Sequence, residues 1–262
     1  MITAVTCTGD RPVCFSLLEQ WVKDQTVKPD QWIVVDDGQE PVVESDSYEL
    51  IRREPKKEDP RFTMLLNLEL AFQQVKGDQI LFLEDDEYYA PGYIEAMSKE
   101  LSQYELVGIG RSKYYHLPAR KWFRHFNMGH ASLAQTGFKS SFLPQALKCL
   151  KGDMFYDIRL WQMVNKDAEK FRAPAQVDRH YSEDGRGLVF EDKNHSLYVG
   201  MKGLPGRAGI GSGHREFVWY FQDLNMKMLS DWIPNSSHYR KYMSLTEKQN
   251  KVTLTVQRRK WR

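Results

Sequence analysis

The amino-acid sequence predicts an α/β fold, in which a Rossmann-like, mostly parallel sheet carries helices on both faces. Apolar, β-branched runs at residues 2–7 and 31–35 flank a segment whose apolar residues recur at helical spacing. Strand, helix and strand in this order are typical of a right-handed βαβ unit, which has parallel strands. A third apolar run, at 79–83, follows another helical pattern and extends the same sheet.

Length and composition constrain the domain organisation and the cellular compartment, but they do not identify the function. The 262 residues include 37 basic and 35 acidic side chains, so the formal charge of +2 neither favours nor excludes an anionic partner. A chain of this length buries enough surface to form a single domain over residues 1–262 without disulfide bonds. Its three scattered cysteines match neither a disulfide framework nor a zinc site, which favours a reducing compartment.

Two features of the sequence predict a soluble, cytoplasmic protein. No apolar run approaches the ~20 residues that a membrane-spanning helix needs. The N-terminal segment 1–7 lacks the basic region and the cleavage site of a signal peptide, and we interpret it as a strand.

The remaining periodicities predict the other elements. The first helix and a second helix at 63–75 each have an apolar face that we expect to be buried. These faces comprise Cys14, Leu17, Leu18, Trp21 and Val22, then Leu65, Leu68, Ala71, Phe72 and Val75. Further helices are predicted at 91–104, 143–150, 153–165 and 216–232, and further strands at 105–110, 188–190 and 196–199. In the helix at 216–232 the residues expected to face inward are Phe217, Phe221, Leu224 and Leu229.

Polar residues follow three of the predicted strands, at 8–11, at Asp36 and Asp37, and at 84–87. Ligands of parallel sheets bind at the carboxyl ends of the strands, so we expect these three groups to converge. The third group is four consecutive acids, which are costly beside a buried strand unless a positive group is held there. Carboxylate oxygens suit a divalent cation and the diphosphate that it carries.

Residues 111–125 combine cations with aromatic side chains and contain no acid. The cations are Arg111, Lys113, Arg120, Lys121 and Arg124. Such a segment suits phosphate contacts and base stacking, but a solvated loop or a partly buried antiparallel ribbon explains it equally well. The C-terminal run 258–262 is a second cationic cluster with an aromatic residue.

A glycine-rich segment spans residues 200–214, where six glycines in fifteen residues let the backbone approach a ligand closely. Its Lys202, Arg207 and His214 could supply positive charge to a diphosphate. The glycine spacing matches neither a P-loop nor a dinucleotide fingerprint. A lid over a bound donor and a flexible surface loop both remain open as interpretations.

Four motifs, in this order, resemble those of GT-A fold glycosyltransferases of the inverting family-2 type. They are the turn at 7–12, the strand end at 34–38, the segment 61–67 and the acidic segment 83–86. The resemblance is best over residues 1–104 and implies a nucleoside-diphosphate-sugar donor of the UDP type, a Mn²⁺ or Mg²⁺ ion, and Asp86 as a metal ligand. With Lys202 and Arg207 included, the expected nucleotide-sugar contacts are Thr8, Arg11, Asp36, Asp37, Arg61, Asp85, Lys202 and Arg207.

The same resemblance implies a catalytic base and a late metal-binding histidine. The base of the family opens a helix after the acceptor loop, and residues 156–161 resemble that pattern, so Asp157 is the expected base. Asp153 is the reserve, and its alternative role is a helix N-cap. His214 and His195 both qualify as the histidine ligand by position, and His214 is preferred because it ends the glycine-rich segment.

Residues 202–207 and 209–211 resemble phage-encoded transferases that glycosylate hydroxymethylated pyrimidines in DNA. This resemblance implies transfer of a hexose or pentose to double-stranded DNA, with the five cations of 111–125 contacting the acceptor. On this interpretation residues 1–104 bind the nucleotide sugar, and residues 105–262 form the acceptor half with a basic C-terminal tail. The alternatives are a bacterial enzyme of surface polysaccharide or glycolipid synthesis and a nucleic-acid-binding protein on an inactive GT-A core.

Overall fold

The computed structural model describes residues 1–150, 156–167, 176–193, 196–207 and 219–246. The strands are β1 Ile2–Thr8, β2 Gln31–Asp36, β3 Glu49–Arg52, β4 Gln79–Phe82, β5 Tyr88–Tyr89, β6 Leu106–Ile109, β7 Lys113–His116, β8 Lys121–Arg124, β9 Thr136–Lys139, β10 Arg179–Tyr181, β11 Gly187–Phe190, β12 Tyr198–Lys202 and β13 Phe221–Gln222. The α-helices are α1 Pro12–Lys23, α2 Met64–Phe72, α3 Tyr93–Leu101, α4 Leu143–Lys148, α5 Tyr156–Gln162 and α6 Lys227–Trp232. A further helical segment covers 236–246.

A large sheet of eight strands forms the centre of the described structure, in the order β10-β11-β6-β9-β4-β1-β2-β3. Strands β4, β1, β2 and β3 are parallel to one another. Strand β9 is antiparallel to both of its neighbours, β4 and β6, while β11 is parallel to β6. The predicted mostly parallel α/β sheet is therefore confirmed.

The parallel strands β1, β2 and β4 are rich in apolar residues because both faces of the sheet are covered. Successive residues of a strand point to opposite faces, so Ala4 and Val34 lie in one hydrophobic core while Val5 and Val35 lie in the other. Helices α1 and α3 bury their apolar faces in the first core, and α2, α4 and α5 bury theirs in the second. The inward face predicted for α1 is confirmed, and in α2 the four predicted residues from Leu65 to Phe72 are buried.

A second sheet of five strands has the order β13-β8-β7-β12-β5, and its strands alternate along the chain with those of the large sheet. Strands β7 and β8 pair antiparallel, with Lys113 opposite Arg124 and Tyr114 opposite Phe123. The cationic segment 111–125 is thus the partly buried ribbon that was one of its two structural interpretations. Strand β12 runs parallel to β7 and places Lys202 beside His116.

The single helix predicted at 216–232 is wrong over the residues that the structure describes. Residues 221–222 form strand β13, and helix α6 begins only at Lys227. Phe221 and Leu224, expected to face inward, are 60% and 68% exposed. The apolar spacing was misleading because Phe221 pairs with Trp122 across a sheet edge and does not belong to a helical face.

Among the described residues, no helix is both long enough and apolar enough to cross a membrane.

Candidate functional site

The carboxyl ends of β1, β2 and β4 meet at one edge of the large sheet, as the sequence predicts. The hydroxyl of Thr8 donates a 2.6 Å hydrogen bond to Oδ2 of Asp85. The other carboxylate oxygen of Asp85 accepts a 2.7 Å bond from Nη1 of Arg11. The backbone N–H of Asp37 donates to the carbonyl of Thr8. The three polar groups are therefore joined by direct contacts.

The four acids that follow β4 are gathered in a largely buried group. Carboxylate oxygens of Glu84, Asp86 and Glu87 all lie within 4.8 Å of one another. Burial, together with repulsion by the neighbouring acids, raises the pKa of Glu84 to about 8. Burial likewise raises the pKa of Asp85 to about 6 and that of Glu87 to about 7. Such mutual repulsion in a site of low polarity favours a bound cation.

Two basic side chains balance part of this charge. Nη1 of Arg11 lies 3.0 Å from Oδ2 of Asp86, and Nζ of Lys202 lies 2.6 Å from Oε1 of Glu87. The pKa of Lys202 is raised, because the attraction of Glu87 and Asp86 exceeds the opposing effect of burial. With all four acids ionised, as a bound cation favours, these two basic side chains leave an excess of two negative charges. The charge and the hard oxygen donors of Glu84, Asp86 and Glu87 fit a divalent ion such as Mn²⁺ or Mg²⁺.

Asp36 closes the turn that follows β2. Its two carboxylate oxygens accept 2.8 Å hydrogen bonds from the backbone N–H groups of Gly38 and Val42. Nη1 of Arg52 lies 3.2 Å from the second oxygen. Asp36 is fully buried, so its immediate role is to hold the turn that carries Asp37.

Asp37 is held from two sides by different elements. Its Oδ2 accepts from Nη2 of Arg53, at 2.8 Å, and from the hydroxyl of Thr63. Its Oδ1 accepts from Nη2 of Arg207 at 2.7 Å. Burial acts to raise the pKa of Asp37, but the hydrogen bonds from Thr63, Arg53 and Arg207 outweigh burial and lower it. Asp37 is therefore a stable carboxylate at neutral pH.

The chain segment 203–207 lies directly over the turn after β1. The N–H of Arg207 donates to the carbonyl of Asp10, and Nε of Arg11 donates to the carbonyl of Arg207. Gly206 has φ +109°, and a Cβ at this position would lie 2.8 Å from the carbonyl oxygen of Asp10. Only glycine allows this close approach of the two backbones.

Asp157 lies in the first turn of α5, where the sequence places the expected base. Its Oδ1 accepts a 2.9 Å bond from the N–H of Ile158. Burial raises the pKa of Asp157, and the Ile158 N–H and the nearby His130 offset part of that rise. A carboxyl group with a raised pKa is a better proton acceptor, as a general base requires.

Several expected site residues lie elsewhere. Asp153, His195 and His214 fall outside the described residues, as does the basic tail 258–262. Arg61 is exposed, and its guanidinium carbon lies 5.3 Å from the centroid of the Phe62 ring. Its role toward a nucleotide stays a prediction.

The cations of the β7–β8 ribbon are largely paired with acids. Nε of Arg111 lies 2.8 Å from Glu191, which also pairs with Arg124. Nζ of Lys113 lies 2.7 Å from Asp192. Arg120 donates to the carbonyl of Leu224, and Lys121 is half-buried. The ribbon therefore presents less positive charge than its sequence indicates.

Sequence reasoning missed two features of the site. Arg53, which belongs to none of the motifs, contacts Asp37 directly. The ion pair between Lys202 and Glu87 joins β12 to the acidic cluster across more than a hundred residues of chain. No local sequence pattern predicts either contact.

A comparison with protein-family models identifies the chain. The model described as "Glycosyl transferase family 2" matches residues 14–169, which is more than half of the sequence. The chain belongs to glycosyl transferase family 2. The predicted glycosyltransferase activity is therefore confirmed. The family match covers most of α1, the acidic cluster and Asp157. No curated protein matches this family-2 chain significantly.

The GT-A type fold is shared with S. aureus TarS at low sequence identity. S. aureus TarS is 12% identical with a TM-score of 0.50, and the match covers 76% of this chain and 36% of TarS. TarS 1–349 in complex with UDP is 13% identical, with coverages of 76% and 60% and a TM-score of 0.49. Mannosyltransferase PcManGT from Pyrobaculum calidifontis, in complex with GDP-Man and Mn²⁺, is 13% identical, with coverages of 75% and 58% and a TM-score of 0.43. The family-2 chain thus spans little more than a third of TarS.

Proposed function

We propose that this family-2 glycosyltransferase moves a sugar from a nucleoside-diphosphate donor of the UDP type to a hydroxyl group, with a divalent cation. The observation that carries the proposal is the buried cluster of Glu84, Asp86 and Glu87 at the end of β4. The cluster is joined to Arg11 and Lys202. Acids that hold a metal, beside cations that meet phosphates, are the groups that a sugar diphosphate requires.

The donor contacts follow from the position of each side chain. Asp86, with Glu84, would hold Mn²⁺ or Mg²⁺, which neutralises charge on the leaving diphosphate. Arg11, Lys202 and Arg207 supply further positive charge to that diphosphate. The nucleoside end is assigned to Thr8, Asp36, Asp37, Arg61 and Asp85. Residues 203–207 contact the turn after β1, and this contact supports the lid interpretation for the described part of the segment 200–214.

Asp157 is the proposed general base. Transfer with inversion requires a carboxylate that removes the proton of the acceptor hydroxyl from the face opposite the leaving group. The burial that raises the pKa of Asp157 strengthens it as a proton acceptor. The reserve base Asp153 and the histidine ligand His214 stay predictions from the sequence.

The acceptor is proposed separately from the donor. A hydroxymethylated pyrimidine in double-stranded DNA stays a prediction from the sequence, with residues 105–262 as the acceptor half. The pairing of Arg111 and Arg124 with Glu191 does not favour it, since paired cations release fewer counterions on binding DNA. Surface polysaccharide or glycolipid remains the alternative acceptor.

A panel of labelled nucleotide sugars, each with Mn²⁺ or EDTA, tests the donor assignment. We expect metal-dependent release of nucleoside diphosphate from at least one UDP-sugar. A protein that binds and cleaves none of the panel would contradict the proposal. Including modified and unmodified duplex DNA at low and high salt tests the acceptor, because phosphate contacts weaken steeply with salt. No DNA binding at low salt would exclude the DNA acceptor without affecting the donor assignment.

A further inference from the structure

We propose that Arg53 is a positioning residue for donor recognition, which holds Asp37 in the orientation that reads the nucleoside end of the donor. The inference rests on the proposed function and goes beyond it, since Arg53 belongs to none of the motifs on which that function depends. Arg53 follows β3 directly, at the edge of the large sheet. The backbone N–H of Arg53 donates a 2.9 Å hydrogen bond to the carbonyl of Asp36. This bond holds the backbone of Arg53 beside the end of β2.

The guanidinium of Arg53 joins three elements at once. Nη2 lies 2.8 Å from Oδ2 of Asp37, Nη1 lies 2.6 Å from Oδ2 of Asp59, and Nε lies 2.6 Å from Oδ1 of Asn67. Only 11% of its side chain is exposed. Each nitrogen of the planar group therefore meets a different acceptor: Asp37 in the turn after β2, Asp59 in the loop and Asn67 on α2. A lysine, with a single nitrogen, cannot reproduce this geometry.

The two oxygens of Asp37 differ in what holds them. Oδ2 accepts from Arg53 and Thr63, which are both partly buried. Oδ1 meets Arg207, whose side chain is 42% exposed and belongs to the segment over the site. Gly9 lets the turn after β1 approach this oxygen closely, because a Cβ there would lie 2.4 Å from Oδ1. Arg53 thus anchors one oxygen, and at the other the exposed Arg207 can be exchanged for an N–H donor on the base, which uracil has.

Calorimetry with two ligands separates positioning from general folding. In Arg53→Lys we expect the Kd for UDP with Mn²⁺ to rise by at least about tenfold, since the variant breaks hydrogen bonds of a buried charge pair. The Kd for inorganic pyrophosphate with Mn²⁺ should change by less than about twofold, because pyrophosphate lacks the base that Asp37 contacts. The matched control is Arg179→Lys. Arg179 lies on β10, at the opposite edge of the same sheet, and makes two hydrogen bonds to Glu100 on α3, which the variant breaks. It should leave both ligands unaffected.

A second variant keeps the inference testable if Arg53→Lys folds poorly. Thr63→Val removes the other donor to Oδ2 and should weaken UDP binding in the same direction with pyrophosphate binding retained. In both variants the acid limb of UDP binding should move to higher pH, because each loses a donor that lowers the pKa of Asp37.

Equal losses for UDP and pyrophosphate, or UDP binding unchanged in both variants, would overturn the role of Arg53. An unaltered protein that binds no UDP would overturn the proposed donor as well, so the two failures are distinguishable.

Discussion

Nη1 of Arg11 lies 2.7 Å from Oδ1 of Asp85, and this ion pair joins the turn after β1 to the end of β4. The same nitrogen lies 3.0 Å from Asp86. Both acids are at least 93% buried as side chains, and Arg11 is 13% exposed. The positive charge of Arg11 is therefore part of the acidic cluster and offsets the cost of burying it.

Replacement of Arg11 by glutamine should destabilise the metal-free protein. We expect the free energy of unfolding to fall by about 3 kcal/mol in EDTA, because Asp85 and Asp86 lose their buried partner. Saturating Mn²⁺ should reduce this deficit, since a bound cation replaces the lost charge. Urea unfolding with EDTA and with Mn²⁺ measures both effects.

Arg186→Gln is the control for that experiment. Arg186 pairs with Asp184 and Glu105, and all three side chains are about one-third exposed. Its loss should cost less than about 1 kcal/mol and should not depend on Mn²⁺. An Arg11→Gln deficit of the same size with and without metal would show that Arg11 and the ion do not share the cluster.

The acidic cluster should bind metal more tightly as pH rises. Glu84 and Glu87, with pKa values of about 8 and about 7, carry protons near pH 6 that compete with a cation. Calorimetry should show the affinity for Mn²⁺ increasing between pH 6 and pH 8, then levelling. A flat profile across this range would contradict the assignment of these acids to the metal.

The stability of the metal-free protein should change in the opposite direction. The pKa of Glu84 is 4.5 in its ordinary state and about 8 in the fold, so the folded state binds more protons between these values. Unfolding then becomes easier as pH rises from about 4.5 to about 8. Thermal unfolding in EDTA measures the trend, and Mn²⁺ should restore more stability at pH 8 than at pH 6.

Asp157→Asn should abolish transfer and spare donor binding. The amide cannot take the acceptor proton, so we expect kcat to fall by about 10³-fold, within the range of general base catalysis. The Kd for the donor should change by less than about twofold, because Asp157 lies on α5 and outside the contacts made by Asp37 and Asp85. Transfer assays and calorimetry on the same preparation measure both.

Asp231→Asn supplies the comparison for Asp157, since Asp231 is an exposed acid paired with Lys227 on α6. It should retain full transfer. An Asp157→Asn protein with normal turnover would return the base to Asp153 or to another group.

The central part of the fold is readable from the sequence because its strands are buried on both faces. β1, β2 and β4 are rich in apolar and β-branched residues, and α1 has one apolar face. Strands β3 and β9 of the same sheet are among those that gave no such signal. β3 is an edge strand with half-exposed residues, and β9, Thr136–Lys139, contains a single large apolar residue. The pairing of β9 with strands far away in the chain, not its own pattern, places it in the sheet.

The candidate site could likewise be predicted from the sequence only in part. The rule that ligands bind at the carboxyl ends of parallel strands predicts that Thr8, Asp37 and Asp85 converge. It does not predict Arg53, whose partners Asp59 and Asn67 are brought together by tertiary packing. Nor does a local pattern reveal that Arg111 meets Glu191, eighty residues later in the chain.

Asp86 provides the most direct test of the account. Release of UDP from a cleaved UDP-sugar with Mn²⁺ should fall at least about 10²-fold in Asp86→Asn, because the variant removes a charged ligand beside Glu84 and Glu87. The exposed Asp46→Asn serves as control and should keep full activity. Calorimetric Mn²⁺ affinity should fall in parallel in Asp86→Asn. Unchanged UDP release and unchanged Mn²⁺ affinity in that variant would contradict a metal-dependent transferase centred on this cluster.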